Sequence, residues 1–482
     1  MPDSPLLEPG LLSVLVPVYN EADLVCESLS RVLAAPLPSG LRREIIVVDD
    51  ASTDDSAARV EAFAGAHPEV RLVRHVRNMG KGAALRTAIG AARGEWAIFQ
   101  DADLEYDPND YRKLLRPLLE GRADAVYGSR FAFSDERRVL YFWHAVGNHL
   151  LTTLCNIVAD VNLTDMETCY KAFRTSLLKS IPIRSNRFGI EPEVTVKLAQ
   201  RKVRLYETPI SYHGRTYEEG KKIGLRDAFE ALFVMLRFAF RQDIYTESGP
   251  EILDVLSSTP RFNRWMADTI RPHVGQRVIE MGAGIGNLAW QLSPGRARYI
   301  ASDVDEEHLH RLEGRFMHRA NVEVHRCDLE KPDDFAAFAG TLDTVVCLNV
   351  LEHVPDDRGA LRNIRSVLVP GGRAIVLVPE GMSVFGTLDE VLGHCRRYSE
   401  PDLTAKVRDA GFHVERVIHF NRVARPGWYV EGRLLKRRTF TRWRLRVFDS
   451  LVWVWRRLDP FLPWPPVSLI VIARRPIDGE TT

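Results

Sequence analysis

Short β-rich runs alternate with helix-period segments twice along this chain, and that alternation constrains the fold most tightly. From residue 13 to about 130, "SVLVPV", "EIIVVDD", "VRLVRHV" and "EWAIFQ" read as strands. Between them, "ADLVCESLSRVLAA", "DDSAARVEAFAG" and "GKGAALRTAIGAARG" carry helical spacing. Such alternation implies a mostly parallel sheet with helical crossovers. After residue 250 the pattern restarts with five strand candidates: "RVIEMGAGIGN", "ARYIASDVDEE", "VEVHRCDLE", "LDTVVCLNVLEHV" and "GGRAIVLVPE". The chain has 482 residues, more than the roughly 250–300 at which single cores stop growing. Two α/β domains follow, 1–245 and 246–482. Their junction is placed at about 241–260, where Ser, Gly and Pro interrupt any apolar period.

Composition removes several function classes. A net charge of +1 does not suit a whole-molecule nucleic-acid binder. Six cysteines, Cys26, Cys155, Cys169, Cys327, Cys347 and Cys395, form no C-x-x-C pair. That argues against a zinc cluster or disulfide framework and suits a reducing cytosol. The opening "MPDSPLLEPG" lacks the basic and apolar regions of a signal peptide. No uninterrupted apolar run reaches 18 residues, so no spanning helix is expected.

In parallel sheets ligands sit at the carboxyl ends of strands. Both "VVDDASTDD" and "IFQDADLEYD" place acids there. In an extended chain, Asp101, Asp103, Glu105 and Asp107 would share one face. Each close pair would repel by about 4 kcal/mol at an effective dielectric near 20. Asp101, Asp103 and Glu105 supply hard oxygen ligands suited to magnesium or manganese. An EF-hand reading fails because Tyr106 and Arg112 occupy its glycine and final carboxylate positions. Asp107, beside Pro108, starts the next helix.

Five segments occur in order on this first sheet: "LVPVYNE", "VVDDASTD", "RNMGKGAALRTAI", "QDADLE" and "GSRF". Together they resemble the family 2 glycosyltransferases, in the branch that makes dolichyl- and polyprenyl-phosphate sugars, over about residues 11–240. The resemblance implies a GT-A-type, Rossmann-like nucleotide-sugar domain performing metal-dependent, inverting hexosyl transfer to a polyprenyl phosphate. It implies donor contacts from Pro17, Tyr19, Glu21, Val48, Asp50 and Ala102. Asp101 and Asp103 would hold Mg2+ or Mn2+ on the donor diphosphate. Glu105 stands where the family often has Gln and joins the metal set. Arg130 matches a phosphate contact, and Arg215 and Lys221 match a basic pair near the diphosphate and acceptor phosphate. Lys81 lies in a glycine-rich turn, but no Ser or Thr follows, so it is not a Walker loop.

A lipid phosphate is already anionic and attacks without a base, whereas a glycan hydroxyl usually requires one. Asp165, in "LTDMETCYKAFR", is the base candidate for a hydroxyl acceptor, or else a structural acid paired with Lys171 or Arg174. The alternative reading is transfer to a glycan hydroxyl, with a non-catalytic second domain.

In the second half, Gly282, Gly284 and Gly286 follow a strand and Glu280. With "LNVLEHVPD" and "VLVPGGRAIVLVP" they resemble class I S-adenosylmethionine-dependent methyltransferases over about 260–482. That resemblance implies a second Rossmann-like domain binding S-adenosylmethionine through Glu280, Gly282, Gly284, Gly286, Asp303, Asp328 and Leu329. His394, in "LGHCRRY", is either a base near an acceptor oxygen or a structural histidine.

A lipid acceptor implies membrane contact. Segments 141–158 and 227–242 either lie in the membrane interface or pack on each other. "RLLKRRTFTRWRLR" and "VWVWRRLDPFLPWPP", with Trp453, Trp455 and Trp464, suit an anionic membrane surface better than nucleic acid. The expected enzyme is bifunctional and peripheral, at the cytoplasmic face of the membrane.

Overall fold

The computed structural model describes residues 7–132, 142–214, 225–240, 259–437 and 442–477. The chain divides into two compact units, Met1–Thr246 and Glu247–Thr482. Most of the expected junction, together with Arg215 and Lys221, lies outside the described residues.

The first unit is built on β1 (Glu8–Val18), β2 (Arg42–Asp49), β3 (Val70–Arg74), β4 (Gly94–Phe99), β5 (Ala125–Ser129), β6 (Lys171–Arg174) and β7 (Leu205–Pro209). Their order across the sheet is β3-β2-β1-β4-β6-β5-β7. β1 pairs in parallel with β2 and β4, whereas β6 runs antiparallel between β4 and β5. Residues Leu11–Val16 and Ile45–Val48 are buried without a polar-out alternation, apart from Ser13. Both sheet faces are therefore covered, as parallel strands require. Ser13 is satisfied by donating to Glu44 Oε1 at 2.7 Å. Helix Lys81–Ala91 is alanine-rich and packs on β1 and β2.

The second unit contains β8 (Arg277–Met281), β9 (Arg298–Asp303), β10 (Val322–Arg326), β11 (Leu342–Leu348), β12 (Leu368–Pro379), β13 (His413–Phe420) and β14 (Ser468–Arg474). Their order is β10-β9-β8-β11-β12-β14-β13. The five expected strands form the parallel part. β14 adds antiparallel to β12 and β13. Sequence reading stops at β12 because the "HVERVIHF" of β13 is an edge strand with charges on it.

Among the described residues no helix is long and apolar enough to cross a membrane. Helix Phe142–Ala159 packs against helix Leu225–Phe240 through Cys155, Ala231, Val234, Met235 and Phe238. The same helices leave Phe142, Trp143, Val146, Leu150, Phe233 and Leu236 exposed. The expected packing of these segments on each other is thus present, and the pair also keeps an exposed apolar face. Of the three tryptophans expected at a surface, only Trp453 is exposed. Trp455 packs on the core and stacks with Phe448. Trp464 is half-buried and donates its indole N–H to the Arg422 carbonyl at 2.7 Å.

Candidate functional site

In the first unit the strand order reverses between β1 and β4, the place where α/β sheets bind ligands. A cleft of about 360 Å3 opens there. Pro17, Tyr19 and Glu21 line it from the end of β1, and Asp50 from the end of β2. Asp101, Ala102, Asp103 and Glu105 enter from the end of β4, and Arg130 from the end of β5. Val48 does not line it. That side chain is fully buried in the sheet core, with its backbone in register with Pro17 and Val73.

A buried polar network fixes the tip of β4. The hydroxyls of Tyr111 and Tyr170 donate to Gln100 Oε1 at 2.6 and 2.8 Å. Gln100 Nε2 in turn donates to the Asp101 carbonyl at 2.7 Å. Beyond it the chain does not stay extended, contrary to the one-face arrangement expected for the four acids. Leu104 takes a φ of 64°, and the Glu105 amide donates to Asp103 Oδ1 at 3.2 Å. Asp101, Asp103 and Glu105 still reach the cleft, but from a turn. Asp107 leaves the group and caps the helical turn Pro108–Asp110, accepting from the Asn109 amide.

The expected ligands Asp101 and Glu105 also have side-chain partners. Lys81 Nζ lies 3.0 Å from Asp101 Oδ1 and 3.1 Å from Glu191 Oε1. Burial opposes its charge, but Asp101 and Glu191 hold the ammonium well above its ordinary pKa. Glu105 Oε2 accepts the Tyr212 hydroxyl at 2.7 Å. Asp50 accepts the amides of Met79 and Gly80 and contacts His75 Nδ1 at 2.6 Å, so it also organises the turn ahead of Lys81. Burial, assisted by Glu191, pushes the Glu167 carboxyl up to about 7. Lys81, Glu167, Glu191 and Tyr212 line the cleft and were not identified from sequence. For Lys81 the signal was present in the glycine-rich turn. Glu167 and Glu191 come from distant segments and carry no local pattern.

Asp165 pairs with neither Lys171 nor Arg174, correcting the structural alternative. It is fully buried and takes a two-point ion pair from Arg130. The Arg130 amide and Asn148 Nδ2 also donate to it. Lys171 instead donates to the carbonyls of Met166 and Thr168. Arg174 lies over the Trp96 ring.

In the second unit the strand order reverses between β8 and β11. The loop after β8 carries Gly282, Gly284 and Gly286, all with positive φ. A Cβ on Gly282 would stand 2.4 Å from Val350, so this loop and the segment after β11 touch. At Gly284 a Cβ would meet nothing within 4 Å, which leaves its backbone open to a ligand. The Gly284 amide donates to Asp303 Oδ2 at 2.8 Å. Burial works against the Asp303 charge, yet His308 and the amides of Asp305 and Gly284 hold its pKa below the usual carboxylate value. Glu280 sits beneath the loop and accepts the Tyr299 hydroxyl at 2.7 Å. Burial pushes Glu280 up to about 8. Asp328 follows β10 and accepts the Glu330 amide, while Leu329 is buried in the core.

His394 is tied rather than loose. Its Nδ1 lies 2.8 Å from Asp389 Oδ1 and its Nε2 3.9 Å from Glu352 Oε1. Arg397 Nε shares Asp389 Oδ1 at 2.8 Å. Burial pushes Glu352 up to about 8.

Residues 13–181 match the family model "Glycosyl transferase family 2", and residues 279–374 match "Methyltransferase domain". The chain is 28% identical over 231 residues to the dodecaprenyl-phosphate galacturonate synthase of Rhizobium johnstonii, covering 48% of this chain and 66% of that one. It is 31% identical over 209 residues to glycosyltransferase AglJ of Haloferax volcanii, covering 43% and 64%. The chain thus spans a little under two thirds of the length of these curated relatives. A crystal structure of an S-adenosylmethionine-dependent methyltransferase from Mesorhizobium loti aligns with 18% identity and a TM-score of 0.31, covering 44% of this chain and 96% of that one. One polypeptide therefore carries a segment that matches the family 2 glycosyltransferase model and, after it, a segment that matches a methyltransferase domain model.

Proposed function

We propose that the first unit transfers a hexosyl group, with inversion, from a nucleotide-sugar to a polyprenyl phosphate. The observation that carries this is the convergence of Asp50, Asp101, Asp103, Lys81 and Arg130 on one cleft at the β1/β4 reversal. Acids and cations facing one another there suit a diphosphate bound with a cation. Tyr19 is a half-exposed ring beside Pro17 and Asp50, a surface for a base and ribose. The oxygen donor set fits Mg2+ or Mn2+, held by Asp101 and Asp103, with Glu105 beside them. Such an ion would stabilise charge on the departing diphosphate. Arg130, locked by Asp165 and by Asn148 Oδ1, which accepts from Nη2 at 3.1 Å, lines the cleft as a fixed cation for a phosphate oxygen. Asp165 is better placed to aim Arg130 than to take a proton, which favours an acceptor that is already anionic. The relative named for a dodecaprenyl-phosphate product supports the same acceptor.

The second unit binds S-adenosylmethionine, with Gly282, Gly284 and Gly286 approaching it by backbone, Asp303 and Asp328 near the ribose and adenine, and Glu280 beneath. That cofactor would supply the methyl group for an oxygen on a glycan or lipid acceptor. The exposed face of helix Phe142–Ala159 rests on the membrane surface that carries the acceptor.

The test is mass spectrometry of lipid extracts after incubating the enzyme with a nucleotide-sugar panel, undecaprenyl phosphate, Mn2+ and S-adenosylmethionine. A hexose increment on the lipid phosphate is the expected result. Transfer only to a free glycan would refute the acceptor assignment.

A further inference from the structure

We propose that Glu352, His353 and His394 form a binding site for one divalent transition-metal ion, zinc being the best match. One ligand atom from each lies within 4.8 Å of the others. Glu352 carries the argument. Its side chain is completely buried, and neither carboxylate oxygen has a hydrogen-bond partner among the described residues. Leaving a buried carboxyl group without a hydrogen-bond partner is costly. One carboxylate oxygen is turned toward the imidazoles: His394 Nε2 is 3.9 Å from Oε1, and the histidine rings stand 4.9 Å apart at 75°.

The histidines are held as metal ligands usually are. Asp389 takes Nδ1 of His394 at 2.8 Å, which leaves Nε2 turned toward Glu352. A carboxylate behind an imidazole fixes its tautomer and raises its basicity toward a metal. His353 Nδ1 lies 3.3 Å from the Gly393 carbonyl, so its Nε2 carries the lone pair. The two segments are clasped by the Cys395 amide, which donates to the Glu352 carbonyl at 2.9 Å. Two imidazoles and a carboxylate form a three-ligand set that leaves a fourth position open on zinc. Donors at about 2.0–2.2 Å from a tetrahedral ion lie roughly 3.4 Å apart, so side-chain adjustment of about 1 Å closes the site.

The segment bearing Glu352 and His353 follows β11, and its Val350 touches the glycine loop at Gly282. An oxygen acceptor in the open position would be polarised and would release its proton to solvent more readily. That use rests on the methyl-transfer reading above; the ion site does not.

The test uses the full chain carrying Asp101→Asn and Asp103→Asn, so that the other candidate cation site is silent. After chelation, refilling with Zn2+ and desalting, elemental analysis should find one zinc per chain. Cobalt(II) should give a visible d–d band of tetrahedral character. His353→Gln and His394→Gln should each abolish both signals. His353 is exposed, so its variant should melt with the parent when both are metal-free. Equal zinc in parent and variants, or loss in His394→Gln alone, would overturn the site. Calorimetry with S-adenosylmethionine separates the two readings: no binding by the parent refutes methyl transfer, while the zinc result stands or falls by itself.

Discussion

Arg130 and Asp165 form a two-point ion pair, Nε to Oδ2 at 2.6 Å and Nη2 to Oδ1 at 2.7 Å, with the carboxylate wholly buried. Breaking a buried pair by removing one partner costs about 3–5 kcal/mol. Asp165→Asn should therefore lower the melting temperature and weaken donor or acceptor binding. If Asp165 only aims Arg130, the variant raises KM and keeps the pH profile of kcat. A kcat that loses its pH dependence would instead identify Asp165 as the base.

Lys81 places its ammonium between Asp101 and Glu191. Lys81→Met leaves two carboxylates of the cleft facing each other without it. We expect a destabilised first unit that millimolar Mn2+ partly restores, because a divalent ion replaces the lost charge beside Asp101. Thermal melts with and without Mn2+ check this. Equal shifts in the parent and the variant would remove Lys81 from the electrostatics of the cation site.

Glu280 ties the second unit to pH. Its folded pKa of about 8 exceeds the ordinary 4.5. The folded state therefore keeps a proton that the unfolded chain releases. Its contribution is full below about 4.5, declines as pH rises, and is gone above about 8. The slope is at most about 1.4 kcal/mol per pH unit for one proton. Hydrogen exchange at the β8 amides, from pH 5 to 9, should show a shallower decline in Glu280→Gln than in the parent.

Gly282 combines a φ of 65° with a Cβ position 2.4 Å from Val350 Cγ2. Gly282→Ala should lose most S-adenosylmethionine affinity, with strain on the order of 1–3 kcal/mol. Adding Val350→Ala removes the clash but not the backbone strain. Calorimetry should therefore find partial recovery in the double variant.

Trp143 and Leu150 project from the same helix into solvent. Replacing both with Ser should reduce sedimentation with anionic vesicles by roughly tenfold or more, given about 25 cal/mol per Å2 of apolar surface removed from the lipid. Unchanged binding would place the membrane contact elsewhere.

The parallel strands and their loops were legible because buried parallel strands read as apolar runs and the acids stand where those runs stop. "LVPVYNE", "VVDD" and "QDADLE" each lead directly into the cleft. What escaped is what the chain assembles across distance. Glu191 meets Lys81 from more than a hundred residues away, and Asp165 meets Arg130 across 35. Asp389 was invisible behind His394 because a carboxylate five residues before a histidine has no periodic signature. Val48 is the reverse case: the resemblance implied a donor contact there, but both faces of β2 are covered and its side chain is wholly buried.

The reversal of β6 has a consequence for how the cleft can change. A parallel strand delivers only its trailing end to the binding rim, so its leading end is committed to the far side of the sheet. β6 runs the other way, and so it is its leading loop, residues 160–170, that arrives at the rim with Asp165, Glu167 and Cys169. The wall that fixes Arg130 is thereby carried on the loop that follows helix Phe142–Ala159, whose Asn148 and Thr152 bond Asp165 and the Met166 amide. The same loop ends in Tyr170, whose hydroxyl donates to Gln100 at the tip of β4, so a change in this loop is felt at the acids after β4 as well as at Arg130. One polypeptide segment thus ties Arg130 at the end of β5 to the chain at the end of β4.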